Sequence, residues 1–278
     1  MEDEKKENYL KYLLKELEDF RLERSLKLRG YTLTESCSLE RVILPKKEFK
    51  EIEERYYQFL FHYRFRRLLS DIIQVKNSGF VNLDLLLTKW KWEEISEYFD
   101  FLILSGILEK KEDKFYFPYI NLDNFGETLE WFIAQILKKE FSIPAMWGVK
   151  LLDISGGGDF DVLGLIENYL LYIECKTSPP NNVRLRDLWE FLRRREALGS
   201  HLTIFLIDTT LKVERNIIDN IKMLLDRRFS PNRNNEVIKE KEGIYFFPPN
   251  LFILQGKGDF IVNFQYIFRK FLEKVFNH

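Results

Sequence analysis

Two eight-residue segments, 159–166 and 169–176, are rich in Val, Ile, Leu, Phe and Tyr and are separated only by Glu167 and Asn168. Side chains of these types favour β-strands. Asparagine is one of the few residues that tolerate the left-handed backbone of a tight turn. The pattern therefore predicts a β-hairpin in which the numbers of opposed residues sum to 335.

This register brings charged side chains together at the open end of the hairpin. Asp161 is expected opposite Glu174, and Asp159 opposite Lys176, all on one face because strand side chains alternate. Opposed β-carbons lie roughly 5 Å apart. Two carboxylates at that separation could hold one divalent cation at about 2.1 Å per oxygen.

A surface hairpin with an ordinary Asp159–Lys176 cross-strand pair is the alternative interpretation. The apolar residues on both faces argue against it. They indicate a sheet that is covered on both sides, where a buried charge is costly, so charges in such a sheet are expected to serve a function. Those expected beside the acids are Leu163, Leu165 and Leu170, and those expected on the opposite face are Phe160, Val162, Ile166 and Ile173.

The segments around the hairpin follow the order helix, three strands, helix, strand. Their expected ranges are 124–137 for the first helix, 145–154 for the first strand, 183–198 for the second helix and 201–207 for the last strand. The first helix carries G-x-x-x-E, the second strand D-V-L-G and the third strand I-E-C-K. This combination, over residues 124–208, resembles the PD-(D/E)xK nuclease superfamily, which includes restriction endonucleases and Holliday junction resolvases, and most of all its Mrr-like branch. Phe160 stands where the name-giving proline would be.

The resemblance implies an α/β (α+β) core like that of restriction endonucleases, with a mixed sheet and helices on both faces, and metal-dependent hydrolysis of phosphodiester bonds. Asp161 and Glu174 would bind one or two Mg²⁺ or Mn²⁺ ions, with the backbone carbonyl of Cys175 as a further ligand. Lys176 would orient the attacking water or offset charge on the phosphate. A plain salt bridge from Lys176 to Asp159 is the alternative. Asp159 is either an outer-sphere metal ligand or the partner that fixes Lys176, and the second role is favoured.

The first helix offers two acids, of which Glu130 is the expected catalytic residue and metal ligand. At 100° per residue, Glu130 lies roughly 90° from the centre of the apolar face, at the flank nearest the sheet. Glu127 lies about 150° away, toward solvent. Glu130 also matches the spacing after glycine in the superfamily. The apolar face consists of Leu129, Phe132, Ile133, Ile136 and Leu137.

The net charge of −1 provides no global basic field that would attract nucleic acid. Basic residues are instead concentrated after the E-x-K strand, and those predicted to bind nucleic acid are Arg184, Arg186, Arg193 and Arg194. These arginines either contact phosphate or simply form a solvent-exposed face of the helix. Before the hairpin, Gly156–Gly158 indicate either a tight turn or a place where a DNA backbone or a metal-bound water approaches closely.

The flanking regions predict a second domain. Residues 1–120 form a mostly helical, winged helix-turn-helix-like domain, with helices expected at 2–28, 47–73, 82–90 and 92–105 and a hairpin that turns at Glu112-Asp113. Its third helix exposes several acids, so a scaffold or protein-contact role is favoured over DNA reading. Residues 121–278 form the nuclease-like domain, completed by a helix at 211–228, a polar loop at 231–242, strands at 244–247 and 251–254, and a helix at 260–276.

Two cysteines and three histidines are too few for a disulfide framework, a four-ligand zinc site or a histidine-metal nuclease motif. The sequence shows neither an apolar run of membrane length nor a secretion signal, so we expect a cytoplasmic protein without a membrane partner. The hypothesis is a Mg²⁺- or Mn²⁺-dependent endonuclease acting on DNA. RNA stays open as the substrate, and so do a homodimer, a protein partner bound by the N-terminal domain, and a catalytically silent DNA- or protein-binding regulator on the same fold.

Overall fold

The structure, a computed structural model, describes residues 20–35, 39–47, 49–152, 154, 157–229 and 236–276. Cys37 and residues 2–19 of the first predicted helix lie outside these ranges. The fold is mixed α/β, with helices around a large mixed sheet, as expected. Two compact units divide the chain: residues 1–37 with 133–278, called the large unit, and residues 38–132, called the small unit.

The strands are β1 (Thr32–Glu35), β2 (Lys76–Asn77), β3 (Phe80–Val81), β4 (Glu109–Lys111), β5 (Lys114–Tyr116), β6 (Ala145–Leu152), β7 (Asp159–Ile166), β8 (Tyr169–Lys176), β9 (Leu202–Ile207), β10 (Ile238–Lys241), β11 (Ile244–Phe247) and β12 (Leu251–Gln255). The helices are α1 (20–28), α2 (Lys50–Phe61), α3 (Tyr63–Val75), α4 (Leu83–Leu87), α5 (Trp92–Leu104), α6 (Gly126–Phe141), α7 (Leu185–Leu198), α8 (Asp219–Leu224) and α9 (Phe260–Phe276). Single π-helical turns flank α8 at Glu214–Ile218 and Leu225–Phe229.

The large unit is built on an eight-stranded sheet with the order β1-β6-β7-β8-β9-β12-β11-β10. The pairs β8–β9 and β9–β12 are parallel, while β6, β7 and β8 form an antiparallel meander. Parallel neighbours need a crossover connection, which α7 supplies between β8 and β9. Strand β9 is buried along its whole length, as expected for a strand covered on both faces.

Helices cover both faces of this sheet. Buried residues of α1, α7 and α8 join one core cluster with the strand residues Leu163, Leu165, Leu170 and Tyr172. On the opposite face, Phe271 of α9 contacts Tyr169 at 5.6 Å between ring centroids. The predicted arrangement of a mixed sheet between helices is therefore confirmed.

Residues 20–35 belong to the large unit, although the sequence predicts them in the domain of residues 1–120. Strand β1 pairs antiparallel with the edge strand β6, with Thr32 opposite Leu152. Leu22 and Leu26 of α1 are fully buried in the same core. The polar sequence of β1 shows no alternating apolar pattern, which is why the strand was not predicted.

In the small unit, the single helix predicted over residues 47–73 is two helices, α2 and α3, which meet at His62. His62 has an extended backbone, and the buried Arg66 donates hydrogen bonds to the carbonyls of Leu60 and Phe61. These bonds satisfy carbonyls at the end of α2 that a helix end leaves without partners. The hairpin of β4 and β5 forms as predicted, with positive φ at Glu112. The winged-helix assignment itself stays a prediction.

The segment predicted as a polar loop over residues 231–242 contains strand β10, which pairs with β11 at the edge of the large sheet. Its residues are mostly exposed, so their composition resembles that of a loop. Residues 231–235 lie outside the described ranges. No helix in the described part of the chain combines the length and apolar character needed to cross a bilayer.

Candidate active site

The predicted hairpin forms with the predicted bounds and register. Strands β7 and β8 pair from Val162 opposite Ile173 to Ile166 opposite Tyr169. The turn residue Glu167 has a φ of 53°, in the left-handed region. The alternating pattern and the short turn together determine this register, because a slip by one residue would turn every buried side chain to the other face.

The backbone pairing of β7 with β8 ends at Val162 and Ile173, although β8 stays paired with β9 as far as Lys176. There the backbone N–H of Cys175 donates to Oδ2 of Asp161 at 2.7 Å, so a side chain replaces a partner on the neighbouring strand. The β6–β7 ladder is irregular at the same level, next to Gly148 with its φ of 54°. The backbone ladder of the hairpin thus ends at Asp161, and the Asp161 carboxylate accepts a backbone hydrogen bond there.

This irregularity changes one expected position. Phe160 was predicted on the face opposite the acids, but its ring contacts that of Tyr172 at 5.2 Å between centroids, within the core cluster on the Tyr172 face. Strict alternation along β7 fails where the ladder is interrupted.

Glu174 lies at the centre of a compact charged cluster. Its side chain is only 1% exposed, and it accepts hydrogen bonds from the Nζ of Lys176 at 2.6 Å and from the Tyr172 hydroxyl. The Nη2 of Arg194 on α7 lies 2.8 Å from both carboxylate oxygens. These four hydrogen bonds match the roughly four acceptor positions of a carboxylate.

The packing of α7 places Arg194 in this cluster. Leu188, Phe191 and Leu192 of α7 are buried, and the Phe191 ring contacts that of Tyr172 at 5.7 Å between centroids. Arg194 follows Phe191 by three residues, so both lie on the same side of the helix. Arg194 also donates from Nε to the Tyr172 hydroxyl at 3.2 Å.

The two carboxylates differ in their electrostatics. Burial raises the pKa of Glu174, but the charges of Lys176 and Arg194 and the hydrogen bonds outweigh burial and leave that pKa below its ordinary value. For the half-buried Asp161, burial first and then repulsion from Glu174 raise the pKa to about 7. Burial alone would lower the pKa of Lys176, but the charges of Glu174 and Asp161 outweigh burial and raise that pKa above its ordinary value.

We expect a pH dependence of stability that comes from Asp161. Its folded pKa of about 7 exceeds the ordinary value of 3.8. The folded state therefore holds an extra proton between these values, and stability falls as pH rises through that window. Without metal, the free energy of unfolding should decline by roughly 2 kcal/mol between pH 5 and pH 8, allowing for partial screening of the shift. Urea denaturation at both pH values measures this decline.

The Asp161→Asn variant should lose this decline and should be more stable than the wild type at pH 8. Asp159→Asn is the matched control, because the Asp159 side chain is exposed and forms no hydrogen bond or salt bridge with any described side chain. An equal decline in the wild type and in Asp161→Asn would contradict the prediction.

The expected pairing of Asp159 with Lys176 was wrong. Lys176 binds Glu174, and Asp159 instead lies opposite Lys150 of β6. The β7–β8 ladder ends at Val162 and Ile173, before it reaches Asp159 and Lys176. These two residues therefore do not form the cross-strand pair that a regular ladder would give.

The arginines of α7 occupy two different environments. Arg194 binds Glu174 and is 15% exposed, so most of its guanidinium lies inside the cluster, and its predicted contact with nucleic acid stays a prediction. Arg184 and Arg186 are exposed and pair with Asp187 and Glu190 of the same helix. Arg193 stacks over the ring of Trp189 at 4.8 Å. Phosphate contact by Arg184, Arg186 and Arg193 stays a prediction.

The helix acids lie on α6, which crosses the division between the units. Glu130 is half-buried, and Glu127, expected to face solvent, is half-buried and pairs with Arg41 at 2.8 Å. Across the described ranges, no group of three or more His, Cys, Asp and Glu side chains could hold a metal ion. The role of Glu130 stays a prediction.

The described part of the glycine run shows why glycine is needed there, and the choice between its two interpretations stays a prediction. Gly157 has a φ of 92°, and a Cβ on Gly158 would lie 1.8 Å from the carbonyl oxygen of Leu151. The N–H of Leu151 also donates to the Gly158 carbonyl at 2.8 Å. Gly156 lies outside the described residues.

Tyr172 was absent from the predicted site, although the sequence carried a signal for it. Tyr172, Glu174 and Lys176 are spaced by two along β8, so their side chains share one face. In the sequence, Tyr172 is indistinguishable from an ordinary core residue. Only the hydrogen bond from its hydroxyl to Glu174 shows that it belongs to the cluster.

Two oxygen-donor carboxylates suit Mg²⁺ or Mn²⁺ in chemical type. Asp161 uses one oxygen for the Cys175 N–H, and burial, followed by repulsion from Glu174, raises its pKa, so a divalent cation would stabilise its charged form. At Glu174, a metal would have to replace one of the donors already bound. The residues therefore fit a divalent ion at Asp161, with Glu174 reached by exchange.

Comparisons with known proteins do not identify a family. No protein-family model matches the sequence, and neither does any curated protein. Among solved structures, protein VC1899 from Vibrio cholerae gives a TM-score of 0.47 at 18% identity, covering 73% of this chain and 54% of that protein. Can2 from Sulfobacillus thermosulfidooxidans, solved with cyclic tetra-adenylate, gives a TM-score of 0.46 at 13% identity, covering 90% of this chain and 60% of that one. Neither likeness assigns this chain to a family or an activity.

Proposed function

We propose that this chain is a metal-dependent nuclease that hydrolyses phosphodiester bonds of DNA, cutting within the strand. The observation that carries the proposal is the convergence of Asp161, Glu174 and Lys176 where the β7–β8 ladder ends. Lys176 lies 2.6 Å from Glu174, and the charges of both act on Asp161. A strongly shifted carboxylate beside specific charged partners is typical of functional sites.

Each side chain has a distinct role in the proposed reaction. Asp161 and Glu174 would hold the divalent ion, which when bound polarises the phosphate and lowers the pKa of a bound water. The Cys175 N–H fixes the Asp161 carboxylate. Lys176 presents a compact cation beside the acids and offsets negative charge that develops on the phosphate. Glu130 is proposed as the third acid.

A catalytically silent binding protein is the second candidate. The observation in its favour is that Glu174 has every acceptor position filled by protein donors. Two carboxylates facing two cations form an electrically balanced cluster, which is also what a purely structural ion network would show.

Cleavage assays with the full chain separate the two candidates. Labelled duplex, single-stranded and branched DNA, and RNA of matching sequence, would be incubated with Mg²⁺, with Mn²⁺ or with EDTA. We expect internal cuts in DNA with either metal and none with EDTA. The Asp161→Asn variant, purified in parallel, should leave the substrates intact. It also serves as the control for a contaminating nuclease, which would cut in both preparations.

Cleavage of RNA alone would reassign the substrate class. Intact DNA and RNA in every metal condition would refute the nuclease proposal and favour the silent regulator.

A further inference from the structure

Arg194 differs from the other paired arginines of α7. Arg184 and Arg186 are exposed and pair with acids on their own helix. Arg194 is mostly buried and spans from α7 to the carboxylate of Glu174 on β8. Its Nε also contacts the hydroxyl of Tyr172, whose ring is fully buried. The guanidinium is thus held by two groups of one strand and has little freedom to leave.

The contacts of Arg194 leave Glu174 without an open position. Lys176 and Tyr172 each take one oxygen of the carboxylate, and Arg194 contacts both oxygens. Asp161 and Glu174 supply two negative charges, and Lys176 and Arg194 supply two positive ones. A second divalent ion beside Glu174 would have to displace the guanidinium and would bring surplus positive charge into a buried site.

We propose that Arg194, braced by Tyr172, is a built-in cation that limits this site to one divalent ion per chain, held chiefly by Asp161. The inference rests on the proposed function, because it concerns the metal of the same site. Arg194 is then a positioning residue: it holds Glu174 and sets the charge of the site without touching the substrate.

Calorimetric titration of the full chain with Mn²⁺, without nucleic acid, tests the inference. The wild type should bind one ion. Arg194→Gln removes the positive charge and frees part of Glu174, so it should bind Mn²⁺ about tenfold more tightly. Arg194→Lys keeps the charge and should stay within about threefold of the wild type. Arg269→Gln is the matched control, because Arg269 is an exposed arginine that pairs with Glu273 on α9.

A purely structural role for Arg194 predicts the opposite sign, because a loosened site binds metal more weakly. Weaker or unchanged Mn²⁺ affinity in an Arg194→Gln variant that keeps its circular dichroism and cooperative unfolding would overturn the inference. Two ions per wild-type chain would overturn it as well, whether or not the variant folds, and would leave the proposed nuclease intact. No saturable Mn²⁺ binding by the wild type would remove the proposed function together with the inference.

Discussion

Replacing Glu174 with glutamine is expected to lower the free energy of unfolding by about 3–5 kcal/mol at pH 7, the range for breaking one side of a buried ion pair. The side chain is 1% exposed and neutralises both Lys176 and Arg194. Glutamine keeps the shape of glutamate but removes the charge and points an N–H₂ group at existing donors. Because small domains are stable by only about 5–15 kcal/mol, the variant should be close to unfolding. Urea denaturation followed by circular dichroism measures the loss.

A double variant separates the ion pair from simple packing. Glu174→Gln combined with Arg194→Gln removes one charge of each sign, so it should lose less stability than the two single variants added together. The matched control is Glu273→Gln, which removes the exposed partner of Arg269 and should cost less than about 1 kcal/mol. A loss at Glu174 as small as the loss at Glu273 would show that the cluster does not hold the hairpin and α7 together.

Replacing Lys176 with alanine is expected to lower the rate of DNA cleavage at least about 100-fold, the scale for removing one electrostatic contact to a transition state. The Lys176 side chain is 28% exposed, so a substrate phosphate can approach its ammonium group, whereas Glu174 beside it is enclosed. Lys176→Arg should fail nearly as badly, because a planar guanidinium cannot replace a compact ammonium in this position. Single-turnover cleavage with saturating Mn²⁺ measures both rates.

Lys222→Ala is the control, because Lys222 is an exposed lysine of α8 that pairs with Asp226 and not with the site acids. It should cut at the wild-type rate. If Lys176→Ala cuts as fast as Lys222→Ala, the ammonium group has no part in the chemistry, and the assignment of Lys176 is wrong.

The sequence by itself determined the hairpin and most of the sheet around it. The bounds of β7 and β8, and their register, follow from alternating apolar residues and a short turn that tolerates left-handed backbone at Glu167. These signals are local, because the side-chain period of a strand depends on its own backbone. The same alternation predicts that Glu174 and Lys176, two residues apart on one strand, lie on the same face.

Only the tertiary structure decided which partners complete the cluster and where regular pairing ends. Arg194 is 20 residues from Glu174 in the sequence, and its contact depends on how α7 packs against β8 through Phe191 and Tyr172. The raised pKa of Asp161 likewise depends on burial and on charges from other elements. Strand β1 is held by backbone hydrogen bonds to strand β6. Backbone pairing of this kind requires no particular side chains, so the sequence of β1 carries no strand pattern. Contacts between distant segments are set by packing, and a sequence pattern reports the face of an element but not what that face meets.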